Sequence, residues 1–308
     1  GIDGSITSNG ASNITINSAT STTGGLSFSG GSTSVGNLTV NTGMTVSPNG
    51  AYNVEILELS NVAGQTTFGN SGLLTLGNAG SDVFNFTGGI IATNPSAINL
   101  IGTITAAGTG LITLGDSNTS INIKNGSGAV GGTSTGTITL GNAILEDGVT
   151  LTVGTGITNA INLAAVTGTA SGTSSNLTIN TTGAVTVTGA VGTDIGLLTI
   201  TNSGGTTFQS TVDAATTTIT NTTGIVKFEG NLNLTTSLIT ANQGYNVSIT
   251  GTSNNIAGAT TFANTGAITL GNGTNDSTTF AGGLVITAPA SIAIQGTVRT
   301  TNATMTLG

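Results

Sequence analysis

The sequence predicts an all-β chain wound as a right-handed parallel β-helix, a β-solenoid with irregular coils of roughly 18–24 residues. Three observations carry that expectation. Short segments in which aliphatic residues alternate with Thr, Asn or Ser recur along the whole chain. Clusters of Gly, Asn, Ser and Asp separate them. Residues 64–104 also return as residues 258–298, with 19 of the 41 aligned positions identical.

The strand segments read in order as residues 12–16 (Ser-Asn-Ile-Thr-Ile), 37–40 (Asn-Leu-Thr-Val), 53–59, 176–179, 184–188 and 197–201. A period of two puts aliphatic side chains on one face and hydroxyls on the other. The intervening Gly, Asn and Asp supply positive-φ turns and side-chain-to-backbone hydrogen bonds. No stretch sustains a 3.6-residue period, and Gly, Thr, Ser and Asn are poor helix-interior residues, so helices are not expected. Phe68 and Phe86 stand at the same interval as Phe262 and Phe280, and Phe208 and Phe228 at a slightly longer one; these intervals are expected to mark single coils. Thr-Leu-Gly recurs at 75, 113, 139 and 269, an uneven spacing that implies coils of unequal length. Thr and Asn on the outer faces are expected to form ladders.

The duplication makes this an array of modules, which folds by stacking each unit on its neighbours. One continuous solenoid over residues 1–308 is expected, with a duplicated module at 64–115 and 258–308. Gly64-Gln65-Thr66-Thr67-Phe68 returns as Gly258-Ala259-Thr260-Thr261-Phe262, and Ile112-Thr113-Leu114-Gly115 as Met305-Thr306-Leu307-Gly308. Both ends are expected to be cuts in a longer repetitive protein. Neither end shows a charged or helical cap, so neighbouring repeats or other copies are expected to cover the open strand edges.

Composition narrows the function. Gly contributes 50 of 308 residues, only 5 % are charged, and there is no Cys, His or Trp. The formal charge of −8 leaves three bases, Lys124, Lys227 and Arg299, too few to neutralise a run of phosphates, so no nucleic-acid partner is expected. Without Cys there are no disulfides or thiolate metal sites. No apolar run reaches the length of a membrane span.

The units Gly205-Thr206-Thr207-Phe208-Gln209, Gly258-Ala259-Thr260-Thr261-Phe262-Ala263 and Gly244-Tyr245-Asn246-Val247-Ser248-Ile249, with the Leu-Thr-Ile and Thr-Leu-Gly-Asn strands, carry a resemblance over the whole chain. They resemble the repeat regions of large bacterial surface proteins: autotransporter and filamentous-haemagglutinin-like adhesins, and β-strand-repeat or S-layer-like proteins. The resemblance implies an exported β-solenoid stalk displayed at the bacterial cell surface. It transfers no functional residue.

Possible chemical motifs read as architecture. Gly126-Ser127-Gly128-Ala129-Val130-Gly131 matches a dinucleotide fingerprint, but Gly132-Thr133-Ser134-Thr135-Gly136 cannot form the helix such a site needs. Glu55 and Glu58, an odd distance apart in a strand, are expected on opposite faces, and Glu146-Asp147-Gly148 reads as a turn. Asp82, its copy Asp276, and Asp116 are candidate Ca²⁺ ligands, against the simpler reading that each hydrogen-bonds its own turn. Thr-x-Thr pairs at 186/188, 199/201 and 218/220 raise ice binding, but their spacing argues against one rank per coil. No catalytic, cofactor-binding or metal residue is assigned. The expected function is non-enzymatic and structural: an extracellular stalk, fibre or surface layer that associates with itself end to end or laterally. The alternative is an adhesin that binds a receptor or cell-surface glycan through its face or loops.

Overall fold

A computed structural model describes residues 14–21, 26–28, 33–46, 50–170 and 172–308. Among these residues every regular element is a β-strand. The expected first segment, 12–16, lies partly outside them; a strand runs over Ile14–Ser21. The chain divides into two compact units, Gly1–Ala160 and Ile161–Gly308. Each is a parallel β-solenoid.

In the first unit, each coil lays down three strand segments that continue three columns of parallel partners. One column stacks Val35, Ile56, Leu76, Leu100, Ile123 and Leu145. The next stacks Leu38, Ser60, Phe84, Ile104, Val130 and Val153. The third stacks Met44, Thr66, Ile90, Ile112 and Ile138. All of these side chains are buried. The alternation read from the sequence is thus the alternation of the strands, with buried positions lying above buried positions. Parallel stacking at about 4.8 Å places branched aliphatics in continuous contact.

The second unit repeats the plan. Val185, Thr206, Val226, Val247 and Ile268 form one buried column, with Val187, Phe208, Phe228, Ile249 and Leu270 two positions along. Leu177, Leu198, Thr217 and Leu238 form another. Coil lengths vary more than expected, from the short step that lays Leu26 beside Met44 to the long step that lays Ile112 beside Ile138. In the long coil the added length is a bulge within the strand Ser120–Gly132, where the register shifts between Ile123 beside Leu100 and Gly128 beside Gly102.

The phenylalanine intervals need correcting. Phe208 and Phe228 are register partners in consecutive coils, as expected, and their rings stack. Phe68 and Phe86, however, belong to different columns, paired with Val46 and Val62. They meet edge-on across the core with centroids 6.4 Å apart, and their copies Phe262 and Phe280 do the same at 6.1 Å. The interval between these rings is a chord across a coil; the full coil there runs from Thr66 to its partner Ile90.

Thr-Leu-Gly is a corner signal. Its Leu is buried at 76, 114, 140 and 270, its Thr faces outward, and the Gly after it turns the chain. At Gly77, φ is 92° and a Cβ would lie 1.9 Å from the Ile101 carbonyl oxygen. Its copy Gly271, at φ 77°, would meet the Gln295 carbonyl oxygen at the same 1.9 Å. Only glycine fits either corner.

Thr-Thr-Phe has a less obvious logic. In Thr66-Thr67-Phe68, Thr206-Thr207-Phe208 and Thr260-Thr261-Phe262 the first Thr and the Phe are buried. The Oγ1 atoms of Thr66, Thr206 and Thr260 are enclosed without a hydrogen-bond partner. The methyl group fills the aliphatic column and the hydroxyl is carried in with it.

Candidate functional site

The turn aspartates bond their own turns. Asp82 Oδ2 accepts the N–H groups of Asn78 and Ala79, both at 2.8 Å. Asp276 Oδ2 accepts those of Asn272 at 2.7 Å and Gly273 at 2.8 Å, an equivalent knot in the second copy of the module. Asp116 Oδ1 accepts from Asn118 at 2.7 Å and Thr119 at 2.9 Å. Each carboxylate replaces ladder bonds that the corner lacks.

Of the two carboxylate pairs, Glu55 and Glu58 are placed differently from the sequence reading. The strand at Glu55 covers only Val54–Ile56, and Glu58 lies exposed on the corner that follows. Neither glutamate points inward, because the strand ends before the alternation reaches Glu58. Glu146-Asp147-Gly148 forms the expected turn, with Glu146 3.4 Å from Lys124 Nζ. The fingerprint residues 126–131 lie within the strand Ser120–Gly132, and no helix follows among the described residues. Of the other bases, Lys227 is 3.9 Å from Glu229. Arg299 donates to Thr279 Oγ1 and Ser277 Oγ, both at 3.0 Å, spanning one coil step.

Outer-face ladders form as expected. Asn85 Nδ2 donates to Asn61 Oδ1 at 2.8 Å, and Thr105 Oγ1 donates to Asn85 Oδ1. Asn122 donates to Asn99 at 3.2 Å. The three Thr-x-Thr pairs do not form one rank, as their spacing implied: Thr186 lies between Asn162 and Thr207 in another column, whereas Thr199 and Thr218 are register partners, with Thr178 beside Thr199 one coil earlier. Ile239 follows Thr218 in that column.

Two tyrosines anchor equivalent corners. Asn70 Nδ2 donates to the Tyr52 carbonyl at 3.2 Å, and its copy Asn264 to the Tyr245 carbonyl at 2.9 Å. Tyr245 Oη donates to the Ile219 carbonyl at 2.9 Å and accepts the Ala241 N–H at 2.8 Å. Burial pushes its hydroxyl up to about 12 from 10.0, because the phenolate would be desolvated. These are structural hydrogen bonds in a buried corner.

One concavity in the second unit was missed by the sequence reading. It is a groove of about 340 Å³ whose polar side chains, Asp194, Asp213 and Asn233, share its wall with Ile195, Ala214 and Ala215. Asp194 sits at φ 62° and its Oδ2 is enclosed without a hydrogen-bond partner. Asp213 Oδ1 accepts from Asn233 Nδ2 at 2.7 Å. Asp194, Asp213 and Asn233 come from three successive coils, so no local motif announces them. No group of three or more His, Cys, Asp or Glu that could hold a metal occurs among the described residues, and no helix there is long and apolar enough to cross a membrane.

No family model, curated protein or solved structure matches this chain.

Proposed function

We propose that this chain is a non-enzymatic structural segment of an exported bacterial surface protein, wound right-handed as parallel crossovers prefer, and forming part of a stalk, fibre or surface layer. The reading rests on the buried columns. Each coil adds a row of inter-strand hydrogen bonds and a slice of aliphatic core, while polar side chains are spent on corners and ladders. Such a body transmits force and offers few cleavable loops.

Self-association belongs to the same proposal. The coils carry few charges to oppose contact between copies, since only 5 % of all residues are charged. The test is electron microscopy of the purified chain and of native cell surfaces. Filaments with an axial repeat near 4.8 Å support the reading; dispersed single particles at every concentration and no surface material refute it.

A second reading, an adhesin, is favoured by the groove at Asp194, Asp213 and Asn233, whose acceptors and amide suit a polyhydroxylated ligand. Saturation-transfer NMR against cell-surface glycans tests it, with Asp213→Ala expected to abolish the signal.

A further inference from the structure

Four Asn-Gly dipeptides occur, at 9–10, 49–50, 125–126 and 272–273. Asn9 and Asn49 lie outside the described residues. The other two have opposite surroundings, and we propose that Asn125-Gly126 is a site of spontaneous covalent modification: intramolecular deamidation of Asn125 to aspartate and isoaspartate.

The strand carrying Asn125 leaves the ladder on both sides. Toward the preceding coil, register jumps from Ile123 beside Leu100 to Gly128 beside Gly102. Toward the following coil, it jumps from Ile123 beside Leu145 to Ser127 beside Thr150. Residues 124–126 therefore bulge outward from the ladder, with the Asn125 N–H donating to Glu146 Oε2 at 3.2 Å. Asn125, Gly126 and Ser127 are exposed. Asn125 has φ 49°, and a Cβ on Gly126 would meet nothing within 4 Å. The backbone here has room to bring the Gly126 nitrogen onto the side-chain amide. At Asn272-Gly273 the same nucleophile is tied down: the Gly273 N–H and the Asn272 N–H both donate to Asp276 Oδ2. A carboxylate on that N–H opposes the loss of its proton and fixes the peptide plane.

The chemistry needs water as its only co-reactant. The Gly126 nitrogen attacks Asn125 Cγ and its proton passes to the departing amide, which leaves as ammonia. The cyclic imide then adds water: addition at Cγ reopens the ring to aspartate on the original peptide bond, and addition at the main-chain carbonyl leaves the Gly126 nitrogen on Cγ, which is isoaspartate. The product places a new carboxylate beside Lys124, competing with Glu146 for that ammonium. Because 124–126 lie outside the ladder, conversion leaves the columns intact and gradually adds negative charge to this corner.

The test is peptide mass spectrometry on the intact folded protein, sampled during prolonged incubation in mildly alkaline buffer. Asn125 is expected to convert on the order of tenfold faster than Asn272, equivalent to about 1.4 kcal/mol in barrier. Asp276→Ala, confirmed folded by circular dichroism, is expected to raise conversion at Asn272. Equal rates at 125 and 272 in the parent chain, or an unchanged rate at 272 in the folded variant, would overturn the proposal.

Discussion

Phe208 lies directly over Phe228, with ring centroids 5.1 Å apart and planes within 3° of parallel. The stack exists because the two residues occupy the same register position one coil apart, so the strand spacing itself sets the ring spacing. Truncation of either ring opens a void that neighbouring aliphatics above and below cannot close. Phe208→Ala and Phe228→Ala are each expected to cost about 3–5 kcal/mol, measured by denaturant unfolding. Their sum in the double variant should depart from additivity, since the rings share one contact.

The buried threonines predict gains. Thr66, Thr206 and Thr260 each carry an enclosed hydroxyl with no partner, and valine has nearly the same shape. Each Thr→Val change is expected to stabilise by about 1 kcal/mol. Thr278 is the control: it is equally buried, but its Oγ1 accepts from Asn254 Nδ2 at 3.1 Å. Thr278→Val should therefore lose stability by about 1 kcal/mol.

Corner glycines divide by space. Gly77→Ala and Gly271→Ala force a Cβ against a carbonyl oxygen at positive φ, and backbone strain of this kind costs on the order of 1–3 kcal/mol before the steric overlap is counted. Gly80→Ala, where a Cβ would meet nothing within 4 Å, should be neutral. Thermal melts of the three variants separate the outcomes.

Alkaline pH tests Tyr245. Below pH 10 the phenol is protonated in both the folded and unfolded states, and its contribution is complete. Between pH 10 and the folded value of about 12, the unfolded chain ionises first, so stability falls as pH rises, by roughly 2–3 kcal/mol in total. Tyr245→Phe should start less stable through loss of the hydroxyl's two bonds, although the Ala241 N–H still donates to the Ile219 carbonyl at 3.0 Å, and should lack that part of the alkaline slope.

Strand period and turn chemistry are local, and they were legible. Leu76 inside, Thr75 outside and Gly77 at the corner all follow from Thr-Leu-Gly. The duplicated turn at Asp82 and Asp276 follows from the repeat. Which columns meet was not legible, because corner length is set by side chains and backbone across coils. Phe68 and Phe86 therefore read as one coil while facing each other across the core. The shared column of Thr178, Thr199 and Thr218 was missed for the same reason. The groove at Asp194, Asp213 and Asn233 draws on three coils and leaves no trace in any short segment.

Disulfide trapping tests the parallel, in-register stacking most directly, and the absence of native cysteine leaves no competing thiol. Leu197 lies beside Thr216, and Thr199 beside Thr218, at a Cα separation within the range that disulfides span. Cysteine pairs at 197/216 and at 199/218 should both oxidise rapidly within the folded monomer, while 197/218 and 199/216 should not. Rapid closure of the crossed pairs instead would mean antiparallel strands, and the stacked-coil architecture would be wrong.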